Sequence, residues 1–209
     1  MGKLQFTSKV LGPVSTNVYL GENAETKEAF IIDPADRADL IEDWIAERKV
    51  MPKAILLTHG HYDHIGAATE LKQRYQIPIY AMEAERAVLE DANLNLSAAW
   101  HRPVTVKPDI LLKDEQELEI AGMRMIAYFT PGHTRGGACY YFPEDACLFS
   151  GDTIFCENVG RTDFPTGSTR TLVESVRRML AVLPEETRIF PGHDVETSAA
   201  HEKRYNPFI

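Results

Sequence analysis

The order of apolar and polar positions in the N-terminal half predicts strands followed by helices. Strands are expected at residues 4–10, 16–20, 29–32 and 54–57. The last of these runs is wholly apolar, which is typical of a strand buried on both faces. Helical spacing of apolar residues marks 38–49, and a second helix is expected to begin near His64 and to run to Tyr75.

The C-terminal half repeats this arrangement. Its expected strands are residues 118–120, 123–129, 139–142, 146–149 and 188–190. Ala121-Gly122 and the segment from Pro143 to Asp145 separate neighbouring strands as hairpin turns. An apolar stripe over 169–183 predicts a helix. We therefore expect an α/β fold in which two sheets pack together with helices outside, in one domain spanning 1–209.

One long segment, residues 91–107, fits neither the strand nor the helix period. Leu94, Leu96, Trp100 and Pro103 give it apolar anchors, so it is interpreted as a packed loop. Three roles stay open for it: a surface connection, a lid over a binding site, or a surface for a partner.

Composition narrows the kinds of partner and compartment. The 209 residues carry a formal charge of −9, and an acidic chain is a poor binder of nucleic acid or anionic membranes. Its three cysteines, Cys139, Cys147 and Cys156, fit a reducing compartment better than a disulfide scaffold. The N-terminus shows no signal-peptide pattern and no stretch is long and apolar enough to span a membrane. We expect a soluble, cytoplasmic protein.

The strongest chemical signal is the segment from Thr58 to His64, which follows the apolar strand directly. It reads Thr-His-Gly-His-Tyr-Asp-His and holds three imidazoles and one carboxylate. Burying so many polar groups without partners would cost a few kcal/mol each, so they make a poor core. Imidazole nitrogen and carboxylate oxygen are the ligands of divalent ions such as Zn²⁺, Fe²⁺ and Mn²⁺. The segment therefore predicts a metal site.

Three later strands also end in a glycine followed by a candidate ligand. These ligands are His133, Asp152 and His193, preceded by Gly132, Gly151 and Gly192. Glycine lets the backbone approach closely or adopt unusual dihedral angles, and sheets gather ligands at the carboxyl ends of their strands. All of these side chains are therefore expected at one site.

Taken together, the candidate ligands resemble those of the metallo-β-lactamase-fold hydrolases in type, order and context. They are His59, His61, Asp63, His64, His133, Asp152 and His193. The branch that the chain resembles is the short bacterial glyoxalase II-like, or hydroxyacylglutathione hydrolase-like, group, because Gly160-Arg161-Thr162-Asp163-Phe164-Pro165 follows Asp152. The resemblance implies an αββα sandwich of two mixed β-sheets flanked by helices, with a metal centre in a cleft at one edge.

The resemblance also implies a role for each ligand. The first ion would be held by His59, His61 and His133, the second by Asp63, His64 and His193, and Asp152 would bridge them. Two divalent ions are implied, Zn²⁺ first and Fe²⁺ or Mn²⁺ as alternatives, with a bridging hydroxide as the nucleophile. Asp63 would also be catalytic, accepting the proton of that water and orienting it.

The implied substrate is a small thioester, S-lactoylglutathione or a related acyl-thioester. Arg161 matches a position where longer family members place a basic residue for glutathione, and its alternative role is an ion pair with Asp163. Val195 stands where those longer enzymes have a tyrosine that contacts glutathione, and the sequence given ends at Ile209 without their C-terminal helical domain. Thioester cleavage is therefore better supported than glutathione recognition, and the oligomeric state stays open.

Other functions in the same fold remain as alternatives. A persulfide dioxygenase would use a single Fe²⁺ held by His59, His133 and Asp152. A non-catalytic metal-binding or partner-binding member is disfavoured by the intact ligand set. Antibiotic hydrolysis is disfavoured because many β-lactamases of this fold lack a histidine at the position of His64 and carry export signals.

Overall fold

The computed structural model describes residues 3–209, and its first layer is a six-stranded mixed sheet. The strands in spatial order are β1 (Leu4–Leu11), β2 (Thr16–Asn23), β3 (Glu28–Ile32), β4 (Met51–Leu56), β5 (Ile79–Met82) and β6 (Ile110–Leu112). The first three strands are antiparallel, whereas β3 to β6 run parallel. The four strands expected in this half are confirmed with slightly different ends.

The second sheet also has six strands and faces the first. In chain order they are β7 (Gln116–Ile120), β8 (Met123–Phe129), β9 (Ala138–Phe142), β10 (Cys147–Gly151), β13 (Arg188–Pro191) and β14 (Thr197–Ser198). Their spatial order is β14-β13-β10-β9-β8-β7, and β10 and β13 are its parallel pair. A short ribbon of β11 (Ile154–Phe155) and β12 (Asn158–Val159) follows β10. Both expected hairpins are confirmed.

Helices cover the outer faces of the two sheets. They are α1 (Ala38–Arg48), α2 (Tyr62–Ile65), α3 (Ala68–Tyr75), α4 (Arg86–Leu89), α5 (Thr169–Val182) and α6 (Ala199–Tyr205). Within residues 3–209, no helix has the length and apolar character needed to cross a membrane.

Successive side chains of a strand point to opposite faces of its sheet, and this alternation explains how the sheets and helices form layers. Phe30 and Ile32 of β3 belong to the core between the sheets, whereas the residues between and before them pack with α1 and α3 on the outer face. Across the interface, the rings of Phe30 and Phe142 stack with centroids 5.0 Å apart. A third apolar cluster lies under α5 and includes Leu172 and Met179. The expected αββα sandwich of two mixed sheets is confirmed.

One helix prediction is wrong in its extent. The helix expected from near His64 to Tyr75 is divided into α2 and α3, with a break at Gly66. A side chain at Gly66 would place its Cβ 2.3 Å from the carbonyl oxygen of Ala35, and the amide of Ala67 donates to Pro34 at 2.9 Å. The break lets the chain pack closely against the loop after β3, which periodicity does not report. Short elements such as β5, β6, α4 and α6 also lie outside the sequence predictions.

Candidate metal centre

The candidate ligands come from both sheets and meet at the edge where the carboxyl ends of four strands lie. The first sheet contributes the loop and helix after β4, and the second sheet contributes the loops after β8, β10 and β13. Their seven side chains are His59, His61, Asp63, His64, His133, Asp152 and His193. All are largely buried except His193, whose side chain is 20% exposed.

Two groups of three ligand atoms form within this cluster. The ligand atoms of His59, His61 and His133 lie within 4.8 Å of one another, and so do those of Asp63, His64 and His193. These are the same two trios that the resemblance implies. The geometry is that of two adjacent cation sites.

Asp152 lies between the trios. Its Oδ2 is 3.4 Å from Nε2 of His133 and 3.6 Å from Nε2 of His193, which belong to different trios. Its Oδ1 is 3.5 Å from Nε2 of His64. This position suits a carboxylate shared by two ions.

A chain of hydrogen bonds orients two of the imidazoles. Nδ1 of His64 lies 2.9 Å from Oδ2 of Asp33, which also accepts from the hydroxyl of Thr58 at 2.5 Å. The Thr58 oxygen is in turn 3.1 Å from Nδ1 of His59. Since each Nδ1 faces this chain, both Nε2 atoms are left to face the cluster, which is the arrangement that metal-binding histidines use.

Backbone carbonyls hold the histidines of the second sheet in the same way. Nδ1 of His133 lies 2.7 Å from the carbonyl oxygen of Arg161, and Nδ1 of His193 lies 3.4 Å from that of Ser15. His61 is turned the other way, with Nδ1 2.9 Å from Nε2 of His133. Four imidazoles therefore point Nε2 inward and one points Nδ1 inward.

Unpaired buried atoms test whether this set fits a cation. Nε2 of His59 and Oδ1 of Asp152 are buried and have no hydrogen-bond partner within residues 3–209. Leaving such an atom unpaired costs about 1–3 kcal/mol, which a bound cation would offset. Nitrogen and oxygen donors of this kind are those of Zn²⁺ and related divalent ions. The residues present therefore fit a pair of divalent ions.

The two trios differ in their electrostatics. Burial, reinforced by His133, lowers the pKa of His61 to about 3, and burial with the neighbouring imidazoles lowers that of His59. Burial also opposes the charged forms of His64 and Asp63, but their mutual attraction outweighs it, raising the pKa of His64 and lowering that of Asp63. His59 and His61 are therefore held neutral, whereas Asp63 and His64 form a coupled pair of opposite charges.

Glu85, which the sequence analysis missed, connects the ligand loops of the two sheets. Its Oε1 accepts from the amide of Gly60 at 2.8 Å, and its Oε2 accepts from the hydroxyl of Thr134 at 3.0 Å. Burial raises the pKa of this carboxyl to about 7, against the hydrogen bonds it receives. Glu85 follows β5 in a short turn, and nothing in the sequence distinguishes it from its neighbours Glu83 and Glu90.

Glycine is required beside two of the ligands. A Cβ on Gly192 would lie 2.3 Å from Oδ1 of Asp152, so the approach of these loops depends on its absence. Gly132 has a φ of +134°, which L side chains rarely adopt, and a Cβ there would lie 2.2 Å from the amide nitrogen of Leu172. The glycines that precede the ligands thus permit close approach.

Arg161 lies beside the metal centre with its guanidinium paired. It forms two 2.7 Å hydrogen bonds to the carboxylate of Asp163 and lies 3.9 Å from the ring centroid of Phe164. Its side chain is 58% exposed. The ion pair with Asp163 is the second of the two roles expected for Arg161, and a substrate contact remains a proposal.

The 91–107 segment lines a pocket next to the second trio. The pocket holds about 360 Å³ and is lined by Pro13, Ala35, Asp36, Tyr62, Asp63, Gly66, Trp100, Arg102, Pro103 and Val104. Trp100 stacks on Tyr62 with ring centroids 5.0 Å apart. The segment is therefore a wall of the cleft in this structure.

Comparison with known proteins places the chain in a family. The Metallo-beta-lactamase superfamily matches residues 11–193. The chain is 38% identical to the probable metallo-hydrolase YqgX of Bacillus subtilis, covering 95% of this chain and 94% of YqgX. It is 35% identical to the hydroxyacylglutathione hydrolase GloC of Haemophilus influenzae, covering 88% of this chain and 89% of GloC.

Solved structures agree with this placement. BLEG-1, named a B3 metallo-beta-lactamase, superposes with a TM-score of 0.92 at 40% identity, over 98% of this chain and 99% of BLEG-1. TTHA1623 in a di-iron-bound form superposes with a TM-score of 0.85 at 34% identity, over 97% of this chain and 100% of TTHA1623. ETHE1 from Myxococcus xanthus superposes with a TM-score of 0.81 at 28% identity, over 97% of this chain and 83% of ETHE1.

The names of these relatives bear on one expectation from the sequence. A protein named a B3 metallo-beta-lactamase is 40% identical over almost the whole chain, whereas His64 is expected to disfavour antibiotic hydrolysis. That expectation stays a prediction, because the names of the relatives span more than one activity. What they share is the fold and the superfamily, and this chain belongs to the Metallo-beta-lactamase superfamily of metallo-hydrolases.

Proposed function

We propose that this protein is a binuclear metallohydrolase that cleaves small acyl-thioesters, with S-lactoylglutathione or a related compound as substrate. The observation that carries the proposal is the complete pair of ligand trios with Asp152 between them. The 35% identity to the hydroxyacylglutathione hydrolase GloC supports the thioester as the bond cleaved. Zn²⁺ is the first candidate for both ions, and the di-iron form of TTHA1623 supports Fe²⁺ as the alternative.

The proposed chemistry divides between the ions and the protein. When bound, the ions would lower the pKa of a coordinated water and polarise the carbonyl of the thioester. Asp63 would orient the attacking water and take its proton. Its Oδ2 accepts from the hydroxyl of Thr16 at 3.2 Å and lies 3.3 Å from Nε2 of both His64 and His193, so these three neighbours hold the carboxylate in place.

Arg161 is retained in the proposal as a residue that faces the thiol portion of the substrate. Its guanidinium is more than half exposed at the edge of the site, and its carbonyl oxygen contacts His133. A carboxylate of the substrate could replace Asp163 as its partner. Exchange of one ion pair for another of the same geometry has a small net free energy at an exposed position.

The second candidate function is a persulfide dioxygenase with one Fe²⁺. His59, His133 and Asp152 supply two imidazoles and one carboxylate, a set that non-haem iron oxygenases use. The similarity in fold to ETHE1 and the iron bound by TTHA1623 favour keeping this candidate.

One experiment separates these functions. Protein of measured metal content is supplied with S-lactoylglutathione, with glutathione persulfide and with a β-lactam, while thiol release, oxygen uptake and β-lactam absorbance are followed. The proposal expects close to two metals per chain and thiol release with no oxygen uptake. One iron with oxygen uptake would establish the dioxygenase, and hydrolysis of the β-lactam alone would replace the thioester proposal.

A further inference from the structure

We infer that the pocket formed by the 91–107 segment binds the acyl group of the substrate and selects thioesters with a bulky apolar or aromatic acyl group. The inference rests on the proposed thioester hydrolysis and changes the preferred acyl group from the lactoyl group to a larger apolar or aromatic one. Trp100 is its central residue. Recognition of the thiol portion is independent of it.

The pocket shares one residue with the metal centre. Asp63 lines the pocket and also belongs to the second ligand trio, so a group in the pocket lies next to the reacting centre. A volume of about 360 Å³ is at the small end of the range for small-molecule sites.

The walls of the pocket are largely aromatic and apolar. Trp100 and Tyr62 form a stacked aromatic surface, and Pro13, Pro103 and Val104 add apolar contacts. Trp100 is 50% exposed, so a ligand that covers its ring would remove apolar surface from water. An aryl or branched acyl group would gain this contact, whereas an acetyl or lactoyl group is too small to reach both rings.

The polar groups at the pocket explain why the thiol portion is not placed there. Among the described residues that line it, Arg102 is the one cation, its side chain is 80% exposed, and it lies 3.6 Å from Asp36. Glutathione carries two carboxylates and an ammonium group, which would need several polar partners. The pocket offers one exposed and already paired cation, so an apolar group fits it better.

The wall is also preformed. Asn95 and Ser97 are fully buried and both bond the backbone of Val104, at 2.7 Å and 3.1 Å, which ties the two ends of the segment together. The amide of Tyr62 donates to the carbonyl of Asn95 at 2.9 Å, so the segment is also bound to the helix that carries Asp63. A wall braced in this way holds Trp100 in place before a ligand arrives.

The first test compares lactoyl and mandeloyl thioesters, each made with glutathione and with N-acetylcysteamine. The two acyl groups differ in one substituent, which is a methyl group in lactoyl and a phenyl group in mandeloyl. We expect the metal-loaded protein to prefer the mandeloyl compound with either thiol. Trp100→Ala should lower kcat/KM for the mandeloyl thioester about tenfold and that for the lactoyl thioester less than twofold. Trp100→Phe should recover most of the loss.

Tyr205→Ala is the matched control, because Tyr205 is an aromatic residue of similar exposure, 51%, away from the pocket. Tyr205→Ala should leave kcat/KM unchanged for both the mandeloyl and the lactoyl thioesters. Equal losses on the two acyl groups in Trp100→Ala, or no loss, would overturn the inference while leaving thioester hydrolysis standing.

A second test measures binding without turnover. The chain has two tryptophans, and Trp44→Phe leaves Trp100 as the only one. In this metal-loaded variant, mandelate should quench the fluorescence of Trp100 and lactate at the same concentration should not. Equal responses would contradict the inference. If no thioester is hydrolysed, the proposed function fails, and this measurement still decides whether the pocket takes an aromatic acid.

Discussion

Oδ2 of Asp33 lies 2.9 Å from Nδ1 of His64, and this contact fixes which nitrogen of the imidazole faces the metal centre. Asp33 is buried, follows β3 with a φ of +48°, and accepts from both the amide and the hydroxyl of Thr58. It therefore positions His64 directly and His59 through Thr58. Neither Asp33 nor Thr58 needs to contact an ion to affect its binding.

Asp33→Asn tests this positioning role. The amide that replaces one carboxylate oxygen would face the N–H of His64 or break the bond to Thr58, so His64 would lose its orientation. We expect the affinity for the second ion to fall about 10- to 100-fold, with a comparable loss of activity. Metal titration followed by elemental analysis measures it. Asp39→Asn, at an exposed carboxylate on α1, is the control, and unchanged metal affinity in Asp33→Asn would contradict the role.

Asp152→Ala should release both ions and abolish nearly all activity. The reason is that Asp152 is within 3.6 Å of ligands from both trios, so both sites lose an oxygen at once. Elemental analysis after dialysis gives the metal content, with Asp43→Ala on the exposed face of α1 as the control. If the variant retained two ions per chain, Asp152 would not be the ligand that the two ions share.

Asp63→Asn should separate metal binding from turnover. The first trio does not include Asp63, so one ion should stay, whereas kcat should fall by about two to four orders of magnitude once the carboxylate no longer takes a proton. Turnover near that of the unmodified protein, measured with the metal content known, would exclude Asp63 from the mechanism.

Glu85 predicts a pH dependence of stability. Because burial raises its pKa to about 7 from an ordinary 4.5, the folded protein binds this proton more tightly than the unfolded chain. Its contribution to stability is therefore complete below pH 4.5 and is lost as pH rises through 7, by about 3 kcal/mol. Chemical unfolding with a chelator present, between pH 4.5 and 8, measures this loss.

Glu85→Gln cannot lose a proton, so its stability relative to the unmodified protein should rise with pH across that window. Glu83→Gln, at an exposed neighbouring position, is the control and should leave the profile unchanged. A constant difference between Glu85→Gln and the unmodified protein would show that folding does not raise the pKa of Glu85.

The cysteines should differ in reactivity. Cys139 and Cys147 are buried, and burial raises the pKa of Cys139 to about 11 and that of Cys147 further. Cys156 is partly exposed in the turn between β11 and β12. Iodoacetamide at pH 8 should modify one thiol in the folded protein and three in denatured protein, counted by mass spectrometry. Modification in folded Cys156→Ser would contradict this assignment.

The sequence was informative wherever a residue's chemistry and its strand context pointed the same way. The ligands could be predicted because imidazole and carboxylate groups clustered after apolar strands are costly to bury unless they bind a cation, and the sandwich followed from strand groups with covering helices. Asp33 and Glu85 could not, since a single carboxylate in a turn looks like any surface residue. Their importance depends on buried contacts with Thr58, Gly60 and Thr134, which are distant in sequence and come together only in the folded chain.

The division of the ligands between the two sheets has a mechanical consequence. Each trio draws on both halves of the chain, since His133 completes the first and His193 the second. Any cation held there would cross-link the two halves of the chain at one edge of the sandwich. Shear of one layer against the other would then pull on metal–ligand bonds, so resistance to sliding of the layers would depend on the ions as well as on the aromatic interior.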